Sequence, residues 1–183
     1  MIKFYEQLRE HVGSSRGLGI PTENDHQDRL ALAAKFLCYG RAENVLDLGC
    51  GYGDLRMHIL GCGYTGVDVH EWMIDEARRR LPVTKFKVAP IESLTPRPDE
   101  FDAVAALGVL VTVPPQELGA FMQRLASHGS RILVVSFIPA DVGYTGVLYA
   151  HPVADVVGSF PVLAQGTAAG ETTVMLDISR GGL

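Results

Sequence analysis

The sequence predicts an α/β fold with a doubly wound, mostly parallel sheet. An apolar run over residues 44–48 leads into a turn with glycines at positions 49, 51 and 53. A second apolar run over residues 64–68 ends in Asp68, which lies 21 residues after Asp47. A buried strand, a glycine-dense turn and a second strand that ends in an acid are typical of a sheet with a nucleoside site at its carboxyl edge.

The N-terminal part of the chain is predicted to be helical. Residues 2–12 are amphipathic, and residues 13–21 form a joint rich in glycine and serine. A second helix is predicted over residues 22–39, with Thr22 as its N-cap and Gly40 as its stop. The apolar residues expected on one face of this helix are Leu30, Ala33, Ala34 and Leu37.

The rest of the chain alternates strands with helices, as expected of βαβ units. Three prolines make residues 89–100 irregular. In the helix over residues 71–80, the inward side chains are expected to be Trp72, Ile74 and Ala77. The predicted elements are a strand over 44–48, a short helix over 54–60, a strand over 64–68, a helix over 71–80, strands over 84–88 and 102–107, a helix over 115–128, a strand over 131–137 and a hairpin of 160–165 and 172–178.

Length and composition indicate one domain over residues 1–183, with residues 1–40 as a helical cap on a core of residues 41–183.

The net charge is −5, and no basic cluster is stronger than the arginines at 78–80, which argues against a nucleic-acid partner. No apolar run is long enough for a bilayer, so we expect a soluble, cytoplasmic protein without a membrane partner. The three cysteines form no CxxC pair and the six histidines are scattered, so no metal site is predicted.

The spacing of the glycines bears on the cofactor. A dinucleotide fingerprint has a third glycine where this chain has Asp54, and an acid there would repel a pyrophosphate at the helix N-terminus. S-adenosylmethionine carries no phosphate and has a sulfonium cation, so it tolerates a carboxylate. Asp47 lies in an apolar run and needs partners when buried, for which the glycine-loop amides and a ligand ammonium are candidates. The spacing therefore favours S-adenosylmethionine over a dinucleotide.

The motif DLGCGYG at residues 47–53 resembles the first motif of the class I S-adenosylmethionine-dependent methyltransferases. Asp68 matches the acid of the family's second motif, and residues 101–115 and 131–139 resemble its fourth and fifth strands. The resemblance implies a Rossmann-like sheet of seven strands whose last strand is antiparallel, with N-terminal helices that cap the site. It also implies transfer of a methyl group from S-adenosylmethionine.

The resemblance implies contacts with the methionyl part of this cofactor. Gly49 and Gly51 would let the backbone approach it closely, with Cys50 between them in the same turn. Asp47 would lie behind the turn and face the ammonium of the ligand. Leu107, at the end of the fourth strand, would offer its carbonyl to the same ammonium.

The resemblance also implies contacts with the nucleoside part. Asp68 would accept hydrogen bonds from both ribose hydroxyls, and Val69 would pack on the adenine face. The family often has an acid where this chain has Pro90, which has neither an acid nor a backbone N–H. The backbone near Ile91, or the side chain of Glu92, would then hold the adenine.

The candidate acceptor contacts come from two segments expected to border the carboxyl edge of the sheet. They are Tyr5 and His11 on the first helix, and Tyr144 and His151 after the fifth strand. The turn after the fourth strand lacks the Asn/Asp-Pro-Pro-aromatic signature of amino methyltransferases that act on nucleic-acid bases, and it offers no general base. We therefore expect a small-molecule acceptor, and the sequence identifies no catalytic residue.

Other interpretations remain open. A non-catalytic S-adenosylmethionine-binding or regulatory domain would share this fold. The short helix over residues 54–60 and Pro90 are compatible with such a domain. A nicotinamide oxidoreductase would also use a glycine turn, although Asp54 counts against it. The short helix exposes part of a sheet face, which a homodimer would bury.

Overall fold

The computed structural model describes residues 22–140 and 148–179, so the predicted helix over 2–12 and the joint over 13–21 lie outside the described residues. Seven strands form one sheet. The strands are β1 (Asn44–Leu48), β2 (Gly63–Asp68), β3 (Lys85–Val88), β4 (Ala103–Ala106), β5 (Ile132–Phe137), β6 (Val162–Ala168) and β7 (Glu171–Asp177).

The strand order is β3-β2-β1-β4-β5-β7-β6. The five strands from β3 to β5 in this order pair in parallel, whereas β7 is antiparallel to both of its neighbours. The predicted α/β fold, a Rossmann-like sheet whose last strand is antiparallel, is confirmed. The winding direction changes between β1 and β4, and such a switch point leaves a crevice at the carboxyl ends of the strands.

Helices and short 3-10 turns connect the strands. Several of the predicted bounds shift by a few residues at helix ends, where one turn of 3-10 helix is common. The helices are α1 (Glu23–Tyr39), α2 (Leu55–His58), α3 (Glu71–Arg80), α4 (Leu118–Ser127) and α5 (Val153–Val157), and the 3-10 turns are Ile91–Ser93, Leu110–Thr112 and Pro115–Glu117.

Helix α1 has the predicted ends. The Thr22 hydroxyl accepts a hydrogen bond from the Asp25 amide at 3.1 Å, and Gly40 caps the C-terminus. The predicted apolar face is buried against the sheet, so most of the helix belongs to the core and not to a separate cap. At its C-terminal end, a Cβ on Gly40 would lie only 2.5 Å from Cδ1 of Ile132.

Both faces of the sheet are covered, as doubly wound folds require. Val45 of β1 belongs to the apolar cluster under α1, whereas Leu46 and Leu48 belong to the cluster on the other face. This division follows from the alternation of side chains along a strand. The central strands β4 and β5 are buried along their whole length.

Two helices differ from the sequence prediction. Helix α2 has only four residues, since the chain leaves helical geometry at Ile59. In helix α3, Met73 is buried beside Ile74 and Ala77, whereas Trp72 is half-buried. Trp72 instead meets Tyr52 edge to face, with ring centroids 6.1 Å apart.

No helix in residues 22–140 and 148–179 combines the length and the apolar character that crossing a bilayer requires.

Candidate functional site

A cavity of about 640 Å³ lies at the carboxyl edge of the sheet. Its wall includes residues at or after the ends of β1, β2, β3 and β4, the first two turns of α1 and the tip between β6 and β7. The volume falls in the range of roughly 300–1,000 Å³ that is usual for small-ligand sites. All residues predicted to contact a cofactor line this cavity, namely Asp47, Gly49, Cys50, Gly51, Asp68, Val69, Ile91 and Leu107.

The glycine turn brings bare backbone to the cavity wall. Gly49 and Gly51 have φ angles of +75° and +53°, which favour glycine. A Cβ at Gly49 would also lie 2.4 Å from Cγ2 of Val109. The amides of Gly49 and Cys50 donate to the Val67 carbonyl at 2.8 and 3.0 Å, so the turn is anchored to β2.

The Cys50 thiol is not a nucleophile in this environment. Burial, together with the carboxylates of Asp47 and Asp68, raises the pKa of Cys50 well above its usual range. Because the thiolate is the reactive form, the side chain fills space in the turn as a neutral thiol.

Asp68 joins the end of β2 to the glycine turn. Its Oδ2 accepts a hydrogen bond from the Gly51 amide at 3.0 Å. Its Oδ1 accepts one from the His70 amide at 2.9 Å and lies 3.0 Å from His70 Nδ1. A carboxylate has about four acceptor positions, so these contacts leave room chiefly on Oδ2. To accept hydrogen bonds from both ribose hydroxyls, Asp68 would therefore have to give up one of its hydrogen bonds within the protein.

Asp47 is held by a different partner from the one predicted. Its Oδ2 accepts a hydrogen bond from the Tyr64 hydroxyl at 2.6 Å, whereas the Gly51 amide donates to Asp68. This corrects the expectation that the glycine-loop amides would hold Asp47. Burial raises the pKa of Asp47 to about 7, although the Tyr64 hydrogen bond opposes the shift, and the charge of Asp68 adds to it. A cation next to Asp47 would favour its ionised form.

The predicted adenine contacts follow β2 and β3. Val69 is 42% exposed and lines the cavity, where it offers an apolar surface to a flat ring. Pro90, Ile91 and Glu92 line the cavity near the 3-10 turn Ile91–Ser93. The side chain of Glu92 is therefore close enough to the site to stay a candidate for the adenine amino group.

A charged group that the sequence analysis missed lies beside the glycine turn. Nε2 of His26 is 2.8 Å from Oδ2 of Asp54, and a guanidinium nitrogen of Arg80 is 2.6 Å from Oδ1 of the same carboxylate. Both His26 and Asp54 line the cavity. Burial alone would raise the pKa of Asp54, but His26 and Arg80 together outweigh it and lower that pKa.

A second charged group was also missed. The guanidinium of Arg29 lies 3.2 Å from Oε1 of Glu171, and the Ser136 hydroxyl donates to Oε2 of Glu171 at 2.7 Å. The Gly108 amide donates to the same hydroxyl at 2.9 Å. These part-buried contacts connect the second turn of α1 with the ends of β4, β5 and β7, and they support the cavity wall after β4.

Helical phase was the signal that could have found the two α1 residues. His26 lies four residues before Leu30, and Arg29 lies four residues before Ala33, on the predicted inward face. Charged side chains on such a face must meet partners or a cavity. His70, another residue that the sequence analysis did not name, follows Asp68 by two residues.

Of the four residues predicted to contact the acceptor, the structure describes one, His151. Tyr5, His11 and Tyr144 lie outside the described residues. His151 is fully buried, and its Nε2 lies 2.8 Å from the Leu110 carbonyl. It does not line the cavity, which corrects the expectation that it contacts the substrate.

The chemistry of the wall suits a cationic ligand with an apolar neighbour. The carboxyl groups of Asp47, Asp54 and Asp68 line the cavity, and so do apolar side chains such as Val111 and Phe121. Within the part of the chain that the structure describes, no three His, Cys, Asp or Glu side chains are grouped so as to hold a metal ion.

A family model described as a methyltransferase domain matches residues 45–129. This part of the chain is therefore similar to a methyltransferase domain. The matched part runs from β1 to the end of α4 and contains the glycine turn, Asp54 and Asp68.

Curated proteins similar to this chain include two kinds of methyltransferase. A magnesium-protoporphyrin O-methyltransferase from Synechocystis is 33% identical over 107 residues, which cover 55% of this chain and 46% of the relative. A trans-aconitate 2-methyltransferase from Delftia acidovorans is 41% identical over 64 residues, which cover 33% of this chain and 24% of the relative. The chain thus spans less than half the length of these relatives.

Solved structures share the fold of this chain. A magnesium protoporphyrin IX methyltransferase from Synechocystis, crystallised with S-adenosylmethionine, superposes with a TM-score of 0.68 at 26% identity and covers 84% of this chain and 78% of its own. An N-methyltransferase from Bradyrhizobium japonicum, crystallised with S-adenosylhomocysteine, gives a TM-score of 0.77 at 14% identity over 94% of this chain and 97% of its own.

Proposed function

We propose that this protein is a methyltransferase that uses S-adenosylmethionine on a small-molecule acceptor. The observation that carries the proposal is the glycine turn, in which Gly49 has no room for a Cβ and Gly51 is hydrogen-bonded to Asp68. The match of residues 45–129 to the methyltransferase-domain model supports it. The cavity volume suits a cofactor together with a small acceptor.

The residues present fit the methionyl part of this cofactor. The bare backbone at Gly49 and Gly51 forms the cradle, and any side chain at Gly49 would fill it. Asp47 and the Leu107 carbonyl would receive the ammonium, since both residues line the cavity. An ammonium beside Asp47 would also remove the cost of burying its carboxylate as an ion.

The nucleoside part fits the wall beyond β2. Asp68 would accept a ribose hydroxyl on Oδ2, where an acceptor position remains. Val69 would pack on the adenine, and Ile91 or Glu92 would hold its edge. The neutral thiol of Cys50 would fill space in the glycine turn next to the ligand.

Bound S-adenosylmethionine supplies a methyl group on a positively charged sulfur, which is already an activated leaving group. The protein then has to align the acceptor and exclude water. The part-buried network of Arg29, Glu171 and Ser136 would support the wall after β4 for this purpose. We propose a small-molecule acceptor because the relatives named for magnesium protoporphyrin and trans-aconitate act on small molecules.

The proposal is tested by two measurements. Calorimetry with S-adenosylmethionine should show micromolar binding, and Asp68→Ala should abolish it, whereas Asp75→Ala on the exposed side of α3 should leave it unchanged. Unchanged affinity in Asp68→Ala would contradict the site. Detection of S-adenosylhomocysteine in an acceptor screen separates an enzyme from a binding or regulatory domain, which never forms the product.

The homodimer and the cytoplasmic location stay predictions. Sedimentation velocity at several protein concentrations would test the first, with a monomer at all concentrations as the contrary result.

A further inference from the structure

The pair of His26 and Asp54 is held rigidly in the cavity wall. Their side chains are 6% and 14% exposed, and the two atoms Nε2 and Oδ2 are 2.8 Å apart. Arg80 approaches the other oxygen of Asp54 from the end of α3. The carboxylate is thus fixed from both sides, and it fixes the imidazole in turn.

This geometry determines where the imidazole carries its proton. The carboxylate of Asp54 pairs with Arg80 and is ionised, so it can only accept hydrogen bonds. Nε2 of His26 must therefore carry the hydrogen, which leaves the lone pair of the neutral ring on Nδ1.

Nδ1 of His26 has no hydrogen-bond partner among the residues that the structure describes. It is buried and makes no hydrogen bond to the described residues, although His26 lines the cavity. Buried polar atoms are nearly always hydrogen-bonded, so an orphaned acceptor in the wall of a ligand cavity points to a group on a ligand.

We propose that Nδ1 of His26 accepts the proton that the methyl acceptor loses, and that the acceptor therefore attacks through a nitrogen or oxygen that bears a hydrogen. The proposal rests on the proposed methyl transfer. The acceptor's heteroatom bonds to the methyl carbon, the electron pair of the broken carbon–sulfur bond stays on sulfur, and the N–H or O–H proton passes to Nδ1. Asp54 and Arg80 are positioning residues in this scheme.

The surrounding charges favour such a proton transfer. The carboxylate of Asp54 would stabilise the imidazolium that forms, as a carboxylate does behind a catalytic histidine. Asp25 and Arg29 of the same helix line the cavity, and Glu171 pairs with Arg29. His58 of α2 bonds to Gln27 at 3.1 Å and does not line the cavity.

The first test reads the tautomer directly. Protein labelled with ¹⁵N-histidine and saturated with S-adenosylhomocysteine is followed by NMR, and the His26 signal is assigned by its loss in His26→Gln. We expect a hydrogen on Nε2 and a bare Nδ1 at neutral pH. A hydrogen on Nδ1 in this complex would overturn the proposal, because the nitrogen would then be a donor to the cofactor's carboxylate. Failure of the wild type to bind S-adenosylhomocysteine would instead contradict the proposed function.

The second test compares His26→Gln and Asp54→Asn with the control His58→Gln. The acceptor panel contains a phenol, a catechol, a primary amine and a dicarboxylate. We expect turnover of an N–H or O–H acceptor, with kcat lowered about 100-fold in His26→Gln, KM for S-adenosylmethionine within about 2-fold, and the wild-type pH profile retained only in the control.

Two results of this comparison would contradict the role of His26 as the proton acceptor. Methylation of the dicarboxylate alone would overturn the proposal, because an ionised carboxylate has no proton to give. Loss of S-adenosylmethionine affinity in His26→Gln with kcat retained would also overturn it, since His26 would then bind the cofactor. Where no acceptor in the panel is turned over, the tautomer measurement decides.

Discussion

The amide of Gly51 donates a hydrogen bond to Oδ2 of Asp68, over 3.0 Å, and this bond joins the glycine turn to the end of β2. The residue proposed to contact the methionyl part of the cofactor and the residue proposed to bind its ribose are therefore directly hydrogen-bonded to each other. A change at either residue should affect both halves of the site.

Replacement of Asp68 tests this unit. Asp68→Ala removes buried, charged hydrogen bonds that are worth about 1.5–3 kcal/mol each, so the affinity for S-adenosylhomocysteine should fall at least ~100-fold. Asp68→Asn keeps one acceptor oxygen and should lose less. Calorimetry checks both, with Asp75→Asn, whose parent side chain is 65% exposed, as the control. Equal affinities for Asp68→Ala and the control would contradict the assignment.

Gly49→Ala tests the close approach of the backbone. The φ of +75° costs a non-glycine residue about 1–2 kcal/mol, and the contact of 2.4 Å with Val109 adds to this. We expect a lower melting temperature and a cofactor affinity reduced at least ~10-fold. Gly61→Ala is the matched control, because a Cβ there meets nothing within 4 Å. Thermal unfolding with and without S-adenosylhomocysteine measures both effects.

The titration of Asp47 should appear in the pH dependence of stability. Burial, with the charge of Asp68, raises its pKa from 3.8 to about 7 in the folded chain. Below the unfolded pKa its stabilising effect is complete, and it is lost as the pH rises through the folded pKa. The free energy of unfolding should thus fall by a few kcal/mol between about pH 4 and pH 7. Urea denaturation should show this fall in the wild type and a flatter profile in Asp47→Asn.

The same carboxyl should release a proton when the cofactor binds. At about pH 6 Asp47 is largely protonated, and a ligand ammonium next to it would lower its pKa and displace the proton. Calorimetric titration with S-adenosylhomocysteine in buffers of different ionisation enthalpy measures this release. It should shrink above about pH 8, and Asp47→Asn should abolish it. An identical release in the variant would assign the proton to another group.

Ser136→Ala tests the network after β4. The hydroxyl donates to Glu171 and accepts from the Gly108 amide, and Ser136 is 1% exposed. Its removal leaves the part-buried Gly108 amide without this acceptor, which should cost about 1–3 kcal/mol of stability. Ser127→Ala, at an exposed serine that donates to the Arg124 carbonyl in its own helix turn, should change stability by less than about 0.5 kcal/mol. Urea denaturation compares the two.

The candidate site was predictable where function depends on local backbone. Gly49 and Asp68 were found because a tight turn and a strand end are encoded by adjacent residues. The partner of Asp47 was not found, because Tyr64 lies on the neighbouring strand and only the register of β1 against β2 brings the two side chains together. His151 was assigned to the wrong surroundings for a similar reason, since its bond to the Leu110 carbonyl joins segments far apart in the chain.

The sequence by itself determined the Rossmann-like fold, the glycine turn and the placement of Asp47 and Asp68 at the ends of two parallel strands. These follow from periodicity and turn chemistry, which act over a few residues. The tertiary structure alone decided that the first turns of α1 reach the cavity, so that His26 meets Asp54 and Arg29 meets Glu171. Such pairs depend on how a helix docks on the sheet, and docking is set by packing of the whole core and not by any local pattern.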